Sequence, residues 1–269
     1  MVKGALFKKS LRDMHSSKAQ FISIFIMATL AVSLMTGLDS IWFTVQNHAD
    51  AMYHATNLSD LWVTVANPSE QELRGIEKIP GVTEVEKRFS AEADTDLPGK
   101  PTLHVYAMED RSTLDQPEMQ EGKFSKIGGS AVLDSDFAKA HNLKVGDHFS
   151  IKLNGVWLRL SIDGLALNSE QIYAVKNAAT ITPDPALYGF VVIHTSALKS
   201  IYGQKVYNQI SVKTEPGADL AQVQKKADAV IGDDLIGITV QKDNSSVSSV
   251  NGRIQQFKTL SLVFPFLFF

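Results

Sequence analysis

The chain has 269 residues, of which 44% are hydrophobic, with 29 acidic side chains, 26 basic side chains and no cysteine. The lack of cysteine excludes disulfide scaffolds, thiolate nucleophiles and zinc–thiolate sites. A net charge of -3 disfavours a nucleic-acid partner, because phosphates repel an acidic surface.

The chain begins with a basic leader, residues 1–18, which carries five basic residues and one acidic residue. Apolar side chains recur there at helical spacing, at Phe7, Leu11 and Met14. This spacing predicts an amphipathic helix lying along the cytoplasmic face of a membrane. A plain basic tail that only fixes membrane orientation explains the charges equally well.

A long apolar segment follows the leader. Residues 21–38 contain no charged side chain, and about 20 such residues cross a bilayer as a helix. We therefore predict a first transmembrane helix at 19–43, in preference to a buried core helix or a cleaved signal peptide. Since short basic flanks stay in the cytoplasm, residues 44–257 are predicted to be extracytoplasmic.

The C-terminal ten residues, 260–269, are apolar apart from one serine and include four phenylalanines. Ten residues are too few to cross a bilayer, and a soluble domain seldom exposes such a patch. We therefore expect 258–269 to be the start of a second transmembrane helix that is truncated in this sequence. A single-pass anchored domain would instead predict a polar C-terminus.

Alternation of apolar and polar residues predicts the strands between these apolar segments. The clearest case is a hairpin across 149–162, where Asn154-Gly155 forms a type I′ turn between two alternating runs. Further strands are predicted at 61–65, 82–89, 103–108, 206–213 and 237–241.

Two longer helices are predicted from their caps. Ser69 and Glu72 form a capping box before a helix that Pro80-Gly81 ends. Asp219 caps another helix, whose apolar residues recur on one face.

Two short units resemble each other, each running from an apolar strand into a helix. They are 131–140, with Asp134 as cap, and 191–200, with Thr195 as cap. The serine-rich run 244–250 is interpreted as a polar joint before the second apolar segment. Strands and helices are interspersed and one hairpin is antiparallel, so the predicted class is α+β.

No motif for catalysis is found: the sequence lacks the phosphate-binding loop, the His-Glu-x-x-His motif and the Gly-x-Ser-x-Gly elbow. We interpret the histidines as isolated surface residues and the acidic pairs as solvated turns (His48, His54, His141, His148; Asp94 and Asp96, Glu109 and Asp110, Asp233 and Asp234). We predict no catalytic, cofactor-binding or metal-binding residue, and no enzyme.

The tryptophans receive structural roles. Trp42 is assigned to the aromatic belt at the outer membrane surface. Trp62 and Trp157 are expected to pack against the sheet.

Several short segments, in order along nearly the whole chain, resemble FtsX-like permeases of ABC transporters, the superfamily that includes the macrolide exporter MacB. Five of them carry the general likeness (Phe7–Asp13, Gln20–Phe25, Ile79–Val82, Glu121–Phe124, Asn142–Asp147). Two others resemble the large permeases of Gram-positive and related bacteria (Asn57–Trp62, Asn168–Tyr173).

The resemblance implies a two-lobed extracytoplasmic domain of periplasmic-core type. Lobe 1 would comprise about 58–120 and 205–243, and lobe 2 about 121–204. The chain would be the permease subunit of an ABC transporter in the cell membrane. Its partners would be a separate ATPase subunit, which binds the ATP, and a second permease copy or half.

In this family the coupling helix that contacts the ATPase follows the second span, so we expect it to be absent from this sequence. The alternative is a single-pass membrane-anchored sensor or binding domain.

Overall fold

A computed structural model of the chain describes residues 12, 14, 17–125, 127–174 and 182–264. The chain divides into two units, residues 1–48 with 251–269 and residues 49–250. Most of the predicted leader helix, and the last five residues of the predicted second span, lie outside the described residues.

The first unit contains most of helix α1 (Lys18–Ala55) and the end of helix α6 (Ser245–Val263). Within the described residues, α1 is the one helix long and apolar enough to cross a membrane; its most apolar window has a mean hydropathy of 2.1. The predicted span 19–43 lies inside α1. In this unit the Trp42 indole donates a hydrogen bond of 2.9 Å to Asp39, and Lys258 lies 5.2 Å from the centre of the Trp42 ring.

The second unit is built on ten described strands. They are β1 (Leu61–Val65), β2 (Val82–Thr95), β3 (Thr102–Met108), β4 (Glu118–Gly122), β5 (Ser130–Asp134), β6 (His148–Leu153), β7 (Val156–Leu167), β8 (Tyr188–His194), β9 (Gln209–Thr214) and β10 (Leu235–Val240). Four more helices accompany them: α2 (Glu70–Glu77), α3 (Ser135–Ala140), α4 (Lys199–Tyr202) and α5 (Leu220–Ile231).

An antiparallel sheet in the order β10-β1-β9-β2 forms one half of this unit. Its strands alternate, so one face is apolar and the other is polar. Helices α2 and α5 cover the apolar face, where Leu61, Val63 and Val212 pack against Ile76 and Val223. We call this the first sheet.

The other half is a closed ring of strands. Pairings run β2-β3-β8-β5-β7-β6 and return from β6 to β2, with β3–β8 and β5–β7 parallel and the others antiparallel. The interior is filled by apolar side chains, including Val105, Leu133, Ile151, Leu160 and Val191. The closure leaves these six strands without the free edges that would expose unpaired backbone groups. Strand β4 pairs with β7 outside the closed ring and forms an edge.

Strand β2 belongs to both halves. Residues 82–88 pair with β9 of the first sheet, and residues 89–94 pair with β3 of the ring. Residues 89–108 therefore contribute to the ring core, although the lobe prediction assigned 58–120 to lobe 1 and only 121–204 to lobe 2.

The local signals with side-chain caps are confirmed. Ser69 and Glu72 form the capping box of α2, and Asp219 caps α5. Asp134 caps α3, as predicted. The 149–162 hairpin is also confirmed, with Asn154 and Gly155 at φ values of 47° and 79°, the left-handed values that a type I′ turn requires.

Two local predictions are wrong. His194, and not Thr195, caps the turn after β8, because the Thr195 hydroxyl donates to Glu109 instead. Trp157 is 51% exposed, whereas Trp62 packs against the sheet as expected. The polar joint at 244–250 is helical from Ser245 onward, since the Asn244 side chain accepts the N–H groups of Ser246 and Val247.

Candidate coupling site on the polar face of the first sheet

Part of the polar face of the first sheet is buried, although a polar face ordinarily meets water. The segment between β3 and β4 and the turn after β7 cover it. Of the side chains on this face, Trp62, Arg88 and Ser211 are 2%, 3% and 1% exposed. Since a buried polar group is costly unless it is paired, each of them needs a partner.

Asp115 is the centre of this arrangement, and its carboxylate is fully buried. It accepts hydrogen bonds from the Ser59 N–H at 2.8 Å and from the Ser59 hydroxyl at 2.9 Å. It also accepts from the Trp62 indole at 3.1 Å and the Ser211 hydroxyl at 2.7 Å. The carboxylate therefore joins β1, β9 and the segment that follows α1.

Arg88 lies where β2 leaves the first sheet for the ring, and it binds Glu170 with a two-pronged contact. Its two terminal nitrogens donate to the Glu170 carboxylate at 2.6 and 2.7 Å, and one of them lies 3.1 Å from Asp115. Its Nε donates to Gln209 at 2.7 Å. This planar fork fixes direction as well as distance.

We call Trp62, Arg88, Asp115, Glu170 and Ser211 the junction cluster. Burial disfavours the charged form of Arg88, but the two carboxylates outweigh it and raise the pKa of Arg88. Burial also raises the pKa of Glu170, while the guanidinium acts in the opposite direction. The cluster holds two carboxylates and one cation, so loss of the cation would leave uncompensated buried charge.

A polar cleft of about 220 Å³ lies beside the cluster. His104 borders it. The centroids of the His104 and Tyr106 rings are 4.6 Å apart, with the two rings tilted against each other, and the His104 ring is bonded to the Ser90 hydroxyl at 2.8 Å. Burial and the nearby Arg88 cation lower the pKa of His104 to about 4. His104 is therefore neutral at pH 7.

The junction cluster is bonded to the end of α1 within the second unit. The Thr56 hydroxyl donates to the Met52 carbonyl in α1 at 2.8 Å and is also bonded to the Ser169 hydroxyl, next to Glu170, at 2.8 Å. The backbone N–H groups of Asp115 and Gln116 donate to the carbonyls of Asn57 and Thr56 at 3.1 and 2.8 Å. The end of α1 is thus bonded to both segments that cover the polar face.

Apolar packing reinforces these bonds. Leu58, Trp62 and Val247 form a buried group with Tyr53 packed against it. The last turn of α1, the start of α6 and β1 therefore share one contact within the second unit.

The residues singled out by sequence are separate from this site. Among the described residues no group of three or more His, Asp or Glu side chains could hold a metal ion. His48 and His148 are exposed. Glu109, interpreted as part of a solvated turn, in fact binds Lys205, Tyr207 and Thr195.

The junction cluster itself was missed by sequence reasoning. Ser211 stands at a polar position of an alternating strand, a pattern that predicts exposure. Trp62 is expected to pack against the sheet, but nothing in its surroundings in the sequence indicates a bond to Asp115. Arg88 stands one residue before the apolar Phe89, where the paired partner of β2 changes. The change of pairing partner from β9 to β3 depends on long-range contacts, so no local sequence pattern predicts it.

A family model described as MacB-like periplasmic core domain matches residues 21–230. The chain belongs to this family. It carries a MacB-like periplasmic domain of the ABC transporter permease family, and its α+β class is as predicted.

The solved structures to which this chain is similar include two extracytoplasmic domains. The extracellular domain of the noncanonic ABC-type transporter YknZ from Gram-positive bacteria is 13% identical, with a TM-score of 0.42 over 65% of this chain and 93% of that one. The periplasmic region of MacB from Actinobacillus actinomycetemcomitans is 12% identical, with a TM-score of 0.40 over 73% and 92%. Among curated proteins no match was found.

The family and the apolar helix α1 fit a membrane protein with a domain outside the cytoplasm. Members of the family are components of ABC transporter permeases.

Proposed function

We propose that this MacB-like chain is part of the permease subunit of an ABC transporter in the cytoplasmic membrane. A separate ATPase subunit would bind and hydrolyse ATP, and the movement would serve export or mechanical signalling. A second permease copy or half, and the lipid bilayer, complete the partners. The N-terminus would be cytoplasmic, residues 44–257 extracytoplasmic, and the full-length protein multi-pass.

The mechanical part of this proposal rests on one observation: residues directly after α1 are hydrogen-bonded to the buried Asp115 and to Ser169, the neighbour of the buried Glu170. Thr56 and Ser59, directly after the apolar helix, are bonded to Ser169 and Asp115. Because Asp115 and Glu170 both contact Arg88, a displacement of the helix end would act on the strand that serves both halves. Apolar packing alone would transmit such a displacement with less directional control.

Topology is tested with single cysteines, which is straightforward because the chain contains none. We expect Gln120→Cys, at an exposed position, to react with an impermeant maleimide in intact cells. Ala5→Cys should react only after the cells are opened. If both react in intact cells, or neither does, the orientation is wrong.

ATP coupling is tested on the full-length protein, purified with its ATPase after mild cross-linking and placed in nanodiscs. Spin labels at Gln120→Cys in β4 and Lys225→Cys in α5 report the distance between the ring and the first sheet. We expect ATP with vanadate to change this distance. A complex that hydrolyses ATP without any change would contradict the mechanical role.

The Thr56→Val variant tests the carrying contact, since it removes the hydroxyl bond to Ser169 and keeps the side-chain shape. We expect it to reduce the ATP-driven distance change while ATP hydrolysis continues. Thr36→Val is the matched control, because the Thr36 hydroxyl only bonds back to Val32 in its own helix. Equal effects of both variants would exclude the Thr56–Ser169 contact as the transmitter.

The second candidate is a single-pass anchored sensor, favoured by the observation that one described helix is apolar enough to span a membrane. It predicts that no ATPase copurifies with the full-length protein and that nucleotide leaves the label distance unchanged.

A further inference from the structure

A separate cavity of about 280 Å³ lies on the ring side of the second unit. Most of its walls are apolar, and they include Met52, Leu167, Ile172, Pro185 and Phe190. A largely apolar cavity with a few convergent polar groups is the usual form of a small-molecule site. It shares none of its lining residues with the junction cluster.

The polar groups of this cavity are acidic. Asp134 and Asp136 line it, and none of the described lining residues is basic. Asp136 is exposed and pairs with Lys139 at 3.0 Å. Asp134 is only 6% exposed, and none of the ion pairs found among the described residues involves it.

The capping role of Asp134 leaves part of its carboxylate available. Its Oδ1 accepts from the N–H groups of Asp136 and Phe137 at 2.9 and 3.4 Å, and the Phe190 N–H also bonds to it. These are neutral donors, and an ionised carboxylate offers about four acceptor positions. Burial raises the pKa of Asp134 to about 6, and the nearby Asp136 carboxylate acts in the same direction.

We propose that this cavity is a binding site for a small amphipathic cation, whose ammonium group pairs with Asp134 and whose apolar body fills the space between Ile172, Pro185 and Phe190. The charge selects the class, because an anion would meet two carboxylates. The volume limits the body to roughly the size of one aromatic ring with a short chain. This inference is independent of the proposed transport function.

The matched probes are 2-phenylethylammonium and 2-phenylethanol, which have nearly the same shape and differ in charge. The full chain in nanodiscs is labelled with ¹³C at the methionine methyl groups, and the Met52 signal, assigned through Met52→Leu, reports binding. At pH 7.5 we expect the cation to bind at least about tenfold more tightly than the alcohol, because only the cation forms a partly desolvated ion pair with Asp134.

Asp134→Asn is the decisive variant, because Asn is as good a helix cap as Asp but carries no charge. The tenfold preference should fall to less than about twofold. Asp219→Asn makes the same change at the cap of α5, outside the cavity, and should keep the preference. Ala174→Leu, which fills the cavity, should weaken both probes.

Equal binding of the two probes to the natural chain, or an unchanged preference in Asp134→Asn, would overturn the proposal. So would a Met52 signal that does not move with either probe.

Discussion

Two polar clusters in the second unit use similar chemistry in different surroundings. In the junction cluster, Arg88 pairs with Asp115 and Glu170. The side chains of Arg88, Asp115 and Glu170 are 4%, 0% and 5% exposed, respectively. The other, which we call the Glu109 cluster, joins Glu109 to Thr195, Lys205 and Tyr207. Its ion pair of 2.7 Å is 35% exposed at Lys205 and 28% at Glu109.

The difference shows that the surroundings, more than the contact distance, decide what an ion pair does. Water can replace a lost partner at Glu109, so either side chain can change at little cost. No water replaces Arg88, so its loss leaves two buried carboxylates without a cation. We expect the junction cluster to fix one arrangement of the two halves and the Glu109 cluster to tolerate several.

Arg88→Met gives the largest expected effect. Removing the cation should lower the free energy of unfolding by about 3–5 kcal/mol, measured by urea denaturation of the full chain with tryptophan fluorescence. Arg74→Met, at an exposed position of α2, should change it by less than about 0.5 kcal/mol. Equal losses would show that removing the buried Arg88 cation costs no more than removing an exposed one, which would contradict the electrostatic role of the cluster.

The double variant Arg88→Met with Glu170→Met sharpens this result. It removes one cation and one carboxylate together, so less uncompensated charge stays buried. We expect it to be more stable than Arg88→Met alone by at least about 1 kcal/mol. If the double variant lost as much unfolding free energy as the two single variants together, the loss in Arg88→Met would not be electrostatic in origin.

The pH range over which stability changes distinguishes His104, beside the junction cluster, from Glu109 in the Glu109 cluster. The pKa of His104 is about 4 in the folded chain and about 6.5 when unfolded. The folded state therefore binds its proton more weakly. Its stability contribution is complete above pH 6.5 and is lost as the pH falls toward 4, by up to about 3 kcal/mol.

The difference in unfolding free energy between the natural chain and His104→Gln, followed from pH 7.5 to 4, isolates this term because other titrations cancel. At Glu109, burial raises the pKa but bonds from Lys205, Tyr207 and Thr195 outweigh it, so the pKa is lowered. Its contribution is present above about pH 4.5 and is lost only below that. A flat His104 difference curve would exclude a buried neutral histidine.

Trp62→Phe is expected to have a smaller effect. The substitution keeps most of the apolar packing but removes the 3.1 Å bond from the indole to Asp115, which costs about 2 kcal/mol for a bond to a charged acceptor. Trp157→Phe, on the exposed hairpin, is the matched control, with less than about 0.5 kcal/mol. Stability is followed by circular dichroism, which does not depend on the tryptophans.

Lys205→Met should have the smallest effect, less than about 1 kcal/mol in the same denaturation experiment. The reason is the exposure of both partners, which lets water and salt screen the pair. A loss as large as that of Arg88→Met would remove the distinction between the two clusters.

Sequence reasoning predicted the first sheet better than the ring. Its helices α2 and α5 have side-chain caps and one apolar face, which are local signals. In the ring, the mostly exposed edge strand β4 lacks an alternating pattern, and closure between β2 and β6 joins residues 94 and 152. Such pairings depend on long-range contacts that propensities do not record.

The candidate sites follow the same rule. Asp134 and Asp219 were both recognised as caps from local spacing. That Asp134 also borders a cavity depends on Ile172 and Pro185, distant in the chain. The partners of Arg88 likewise come from separate segments, at 115, 170 and 209, so no motif search would find them.

Strand β2 has a consequence for folding. Because its fourteen residues supply hydrogen-bonded neighbours to the first sheet and then to the ring, neither half can lose this strand without damaging the other. We expect the halves to behave as one cooperative folding unit, with amides at Val85 and Ala93 exchanging their hydrogens at the same slow rate. A fragment cut at the border between the two halves would be an unfolded chain.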